Sequence, residues 1–82
     1  MDLQDYRKQI DRIDNELLHL FEERMDVVSQ VALYKKEHGL PILDAAREQE
    51  KLATIVCPYT RKLYAMLFQL SREYQGSILE HE

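Results

Sequence analysis

Arg24 occupies a position where this sequence otherwise places apolar residues. It falls between Leu20 and Val27 on a stripe that recurs at alternating spacings of three and four. An arginine on a buried stripe is costly unless an anion meets it or its head escapes to water. Two readings stay open: a guanidinium that snorkels out or pairs with Glu23 or Asp26, and one held for an anionic ligand. Lys35 lies eleven residues further on, about three helical turns, and so returns to nearly the same face. By itself it is an ordinary lysine near a helix C-terminus, favoured there by the dipole. With Arg24 it makes a line of positive charge.

Two further groups break the pattern. Asp44, Arg47 and Glu48 fall within one turn, which suits capping and surface ion pairing of little energetic weight, or a polar wall. Ser71 and Gln75, four residues apart, continue the line of Leu67. They are either the polar end of a helix or hydrogen-bonding groups aimed into a cavity. Together, three cations, a carboxylate and an amide describe a pocket for a small dianion that carries a hydroxyl group.

Other chemistries find no support. His19, His38 and His81 show no metal-ligand spacing with Cys57 or with paired carboxylates. His19 reads as a packing or surface residue beside the stripe. No glycine-rich phosphate loop and no nucleophile–base pairing occur, so neither a metal nor a cofactor is expected. Cys57 before Pro58 reads as structural, with a free reactive thiol as the alternative.

These residues need elements to position them. Leu3, Tyr6, Ile10, Ile13, Leu17 and Leu20 lead into Arg24, and Val27, Val31 and Tyr34 follow. This heptad-like seam predicts a first helix from about Leu3 to Glu37, with Asp2 as its cap and Gly39 and Pro41 as its stop. Roughly 35 residues at 1.5 Å each give a rod of about 50 Å, against a radius of gyration near ~12 Å for a compact globule of this length. The rest of the chain is too short to cover such a rod, so the expectation is a second copy beside it. Asp44 caps a predicted short helix to about Val56, with Leu52, Ile55 and Val56 on one face. Pro58 suits the first turn of a third helix, from about Tyr59 to Gln75 or beyond, with Gly76 fraying its end.

The bulk numbers agree with one domain over 1–82, all-α, with three helices per chain: long, short and medium. With 45% hydrophobic and 32% charged residues and only two Gly and two Pro, the chain has enough to bury and few interruptions. Its net charge of −4 argues against nucleic acid as the partner. No apolar run approaches the ~20 residues needed to span a bilayer, and MDLQDYRK lacks the layout of a signal peptide. A lone Cys57 fits a reducing cytoplasm.

The string YRKQIDRIDNELLHLFEERMDVVSQVALYKKEHGLPILDAAREQEKL resembles the all-α chorismate mutases. The agreement runs through Arg7, Ile10-Asp11, Ile13-Asp14, Arg24, Lys35, Pro41, Asp44 and Arg47-Glu48. LFQLSREYQ is similar to the family's third-helix motif with Ser and Gln four apart, and the resemblance covers about residues 3 to 75. It implies an intertwined homodimer that rearranges chorismate to prephenate on the route to Phe and Tyr, without metal or cofactor. Arg24 and Arg47 would hold the substrate carboxylates, and Arg7 would reach across from the partner subunit. Lys35 and Gln75 would hydrogen-bond the ether oxygen whose bond breaks. Glu48 would accept from the ring hydroxyl near the Asp44 backbone, and Ser71 would touch a carboxylate. Only 22 residues separate Glu48 from Ser71, a short joint that leaves Ser77 as a rival to Ser71. Two other functions share this scaffold: an isochorismate pyruvate lyase, against which Glu48 argues, and a non-catalytic dimerisation or regulatory domain.

Overall fold

A computed structural model of the chain describes residues 1–80; His81, weighed above as a metal ligand, lies outside them. Three helices make up the fold, α1 (Leu3–Glu37), α2 (Ala45–Ala53) and α3 (Pro58–Glu80). The long–short–medium order and the all-α class agree with the sequence reading.

α1 starts in a reciprocal capping box. Asp2 accepts from the Asp5 backbone N–H at 3.0 Å, and Asp5 accepts from the Asp2 N–H at 3.1 Å, so two donors that the first turn leaves unpaired are satisfied. Gly39 ends the helix with φ of +63°, a left-handed turn that glycine enters without a Cβ clash. The Leu40 N–H then closes on the Lys35 carbonyl at 2.8 Å.

α2 begins at Asp44, whose carboxylate accepts from the Arg47 N–H at 3.1 Å. It stops at Ala53, three residues short of the expected Val56. Pro58 disfavours helical backbone at Cys57, and Thr54 and Ile55 instead make tight turns onto Lys51 and Leu52 at 3.1 Å. Arg61 from α3 completes the end by donating to the carbonyls of Leu52 at 2.6 Å and Ile55 at 3.1 Å. Val56 therefore leaves the face shared by Leu52 and Ile55 and is exposed.

α3 corrects a second expectation. Gly76 does not fray it; the helix runs through to Glu80. A mid-helix glycine costs about 1 kcal/mol relative to alanine, and the half-buried Ile78 and Leu79 continue the apolar stripe beyond it.

α1 packs chiefly on α3, and α2 lies against α3. The contact is centred on Val28 and on Ala32, which is 0% exposed and small enough to bring the two helices close. The molecule is extended, 54 × 28 × 14 Å, with a radius of gyration of 16.1 Å. Residues 1–20 are all exposed, so the first half of α1 projects beyond the rest of its chain. The seam residues Ile10, Ile13, Leu17, Leu20, Val27 and Tyr34 stay open to solvent, because α3 takes the neighbouring stripe of Phe21, Val28 and Ala32. No helix among the described residues is long and apolar enough to cross a membrane.

Candidate active site

The α3-facing side of α1 carries Arg24 and Lys35, both half-buried. Beyond Gly39 the chain folds back, so that Lys35 Nζ donates to the Ile42 carbonyl at 2.7 Å. This bond ties the α1–α2 connection to the lysine and brings Asp44, at the start of α2, to the same end of the molecule. One turn of α2 then presents Arg47 and Glu48. α3 supplies the facing wall through Ser71 and Gln75, 7% and 5% exposed.

These seven residues line a single cavity of about 400 Å³, within the usual range for small-molecule sites. Val27, Val31, Ile42, Tyr64 and Phe68 form its apolar wall. Ser77 is excluded from it: the residue is exposed, and its hydroxyl donates to the Tyr74 carbonyl at 2.8 Å. Arg7 also does not line it. It lies seventeen residues before Arg24 on a continuous helix, about 25 Å along the axis.

Of the alternatives left open above, pairing of Arg24 with a neighbouring carboxylate is not what the structure shows. Among the described residues its guanidinium reaches Ser71 Oγ on α3 rather than Glu23 or Asp26. The Ser71 hydroxyl donates in turn to the Leu67 carbonyl at 2.7 Å. Its proton and one lone pair are thus engaged within the chain, between Leu67 and Arg24. Gln75 is the opposite case. Its Oε1 is buried without a hydrogen-bond partner, a condition that costs roughly 1–3 kcal/mol unless something supplies a partner. A half-turn of the carboxamide exchanges that acceptor for an N–H donor.

Two charged lining residues were not singled out from the sequence, Lys51 and Arg72. Lys51 Nζ sits 5.6 Å from the centre of the Tyr64 ring, a cation–π distance. Arg72 Nη1 donates to both oxygens of Glu48, at 2.5 and 2.6 Å. A signal for Arg72 existed: it follows Tyr64 and Phe68 at steps of eight and four, the stripe that lines the cavity. The cavity thus carries five cations against two carboxylates, although the whole chain is net negative. Its field is suited to an anion, and the apolar wall to a ring or hydrocarbon body.

The titratable residues singled out as alternatives lie elsewhere. His19 is exposed, and His38 caps α1 with its ring stacked on Tyr34 at 4.0 Å. Cys57 is exposed ahead of α3, where the backbone N–H of Thr60, then its hydroxyl, and then the Tyr59 N–H pull the thiol below its ordinary pKa. Among the described residues no group of three or more His, Cys, Asp or Glu is placed to hold a metal ion.

Comparison with known proteins follows the same lines. The sequence model of the family described as chorismate mutase type II matches residues 6–76. A bifunctional chorismate mutase/prephenate dehydratase of Aquifex aeolicus is 30% identical over 99% of this chain and 19% of its own length. A chorismate mutase of Methanocaldococcus jannaschii is 45% identical over 57% of this chain and 48% of its own. The T-protein of Haemophilus influenzae is 50% identical over 56% of this chain and 12% of its own. The match thus spans less than half the length of each of these relatives. The solved structure of a conserved hypothetical protein from Pyrococcus furiosus superposes with a TM-score of 0.81, at 33% identity, over 89% of this chain and 93% of that one.

Proposed function

The chain belongs to the chorismate mutase type II family, and from that premise we propose that it rearranges chorismate to prephenate in a site completed by a second copy of itself. The observation that carries this reading is the convergence on one cavity of Arg24, Lys35 and Gln75, whose buried Oε1 has no partner. Chorismate has two carboxylates, a ring hydroxyl and an ether oxygen, and each finds a chemically suited group there.

The rearrangement is intramolecular, so neither a nucleophile nor a general base is required. Arg24, held by Ser71, and Arg47 grip the carboxylates and keep the flexible substrate in its folded, reactive conformer. As the ether bond lengthens, negative charge grows on the oxygen. Lys35 Nζ and the Gln75 N–H meet it there, and preorganised donors of this kind contribute roughly 3–4 kcal/mol each. Glu48 accepts from the ring hydroxyl beside the Asp44 backbone. The bond from Lys35 Nζ to the Ile42 carbonyl uses one of its three protons and leaves two for the ether oxygen.

Support for the second copy comes from the exposed seam and from Arg7. A helix of this length with an uncovered apolar face gains its stability from a partner. Two rods lying antiparallel along each other's seams would bring the Arg7 of one copy toward the cavity of the other, which Arg7 cannot reach in its own chain. Purified protein added to chorismate is expected to remove its absorbance and yield prephenate, and sedimentation is expected to give a dimer. Release of pyruvate from isochorismate, with chorismate left intact, assigns the site to a lyase, and no reaction with either compound assigns the fold to a non-catalytic role.

A further inference from the structure

The Arg72–Glu48 pair differs in kind from an ordinary surface ion pair. Its side chains are 34% and 23% exposed. In the surface pair Arg12–Glu16 the values are 65% and 67%, with a longer contact of 3.2 Å. Partial burial weakens solvent screening, and charge-assisted bonds of this length are the strong ones. The pair also spans two elements. α2 has only nine residues and none of them is buried, so apolar packing does little to fix how its Glu48 faces the cavity. An unrestrained glutamate keeps substantial rotamer freedom, which a ligand would have to remove on binding. Arg72 removes it in advance by bridging both carboxylate oxygens through one Nη1. Each oxygen has about two lone-pair sites, so one on each remains for a ligand donor.

We propose that Arg72 is a positioning residue that locks the Glu48 carboxylate in one orientation at the cavity edge, and so makes the site selective for substrates with a free ring hydroxyl. The proposal rests on the functional reading above and adds to it a residue and a specificity device. Arg72 acts through Glu48, not on the reacting bond. Because the hydroxyl contact exists both before and during the rearrangement, its loss should fall on KM more than on kcat.

The test is steady-state kinetics of Arg72→Met, Glu48→Ala and the double variant, with chorismate and with its ring-hydroxyl methyl ether. Arg72→Met is expected to raise KM for chorismate by about tenfold or more, the scale of a hydrogen bond to a charged group, with a smaller change in kcat. In the Glu48→Ala background the same substitution should change kcat/KM by less than about twofold, the behaviour of residues that act as a unit. On the methyl ether, native protein and Arg72→Met should perform alike. If thermal unfolding shows that Arg72→Met does not fold, Arg72→Lys takes its place, keeping charge but losing the planar donor. An unchanged KM, a loss that persists without Glu48, or an equal loss on the methyl ether each overturns the positioning role. Native protein that leaves chorismate unreacted overturns the functional reading instead, and this proposal with it.

Discussion

Arg7→Ala and Arg24→Ala, made in separate chains and then mixed, separate a site built within one chain from a site built between two. Arg24 lines the cavity and Arg7 lies seventeen residues earlier on the same unbroken helix, a rise of about 25 Å at 1.5 Å per residue. An arginine side chain cannot span that distance, so Arg7 serves a cavity only across a dimer. Truncating one partner of a desolvated charge pair costs roughly 2–5 kcal/mol, so each homodimer should lose between about thirtyfold and several thousandfold in kcat/KM. Random exchange puts half of the dimers in mixed form, and in each of these both defects fall in one site while the other is whole. The mixture should therefore recover about a quarter of native activity, the share of intact sites expected for a two-fold dimer. Chains carrying different tags, unfolded and refolded together, allow the mixed dimer to be isolated, and chorismate consumption measures it. Isolated heterodimers as inactive as both parents would refute the cross-subunit assignment. So would an Arg7→Ala homodimer with native kinetics.

Other perturbations test the remaining parts. Lys35→Ala should lower kcat by about 10²–10³ with little change in KM, as expected for loss of a donor aimed at charge that develops in the transition state; an effect confined to KM would contradict that role. Leu17→Asp, on the exposed seam, should convert dimer to monomer in sedimentation, because an unpaired charge in the interface costs several kcal/mol, and a persistent dimer would place the interface elsewhere. The native rate should be flat with pH around neutrality, since the Gln75 amide donates without titrating. Gln75→Glu should instead gain turnover as pH falls, because only its protonated form donates, and kinetic pH profiles of the two compare them. Cys57 should titrate, by thiolate absorbance, at lower pH in the folded chain than after denaturation, given the donors from Thr60 and Tyr59. With the folded pKa depressed, the contribution to stability is present above the unfolded pKa and lost as pH falls through the folded one.

Much of the fold was legible because its signals are local. Asp2, Gly39, Asp44 and Pro58 act on the residues within one turn of themselves, and they bound α1, α2 and the start of α3. The alternating three–four spacing exposed the seam, and Arg24 and Lys35 stood out because they interrupt or extend an apolar line. Where the sequence misled, the competing influence came from another element. Gly76 stays helical where the half-buried Ile78 and Leu79 continue the apolar stripe beyond it, and α2 ends early because Pro58 and the Arg61 side chain reach back from α3.

Periodicity and caps depend on neighbours three and four residues away, so the order of the helices, the all-α class and the exposed seam follow from the chain alone. Which polar groups meet across helices is settled by the angle and register at which α3 lies on α1, fixed by Ala32 and Val28 at their contact. That register turns Ser71 toward Arg24 and leaves Ser77 outside, and it carries Arg72 to Glu48, 24 residues away in sequence. A one-residue rotation of α3, about 100° of turn, would exchange those partners without altering any local signal. For that reason only the packed molecule identifies the walls of the cavity.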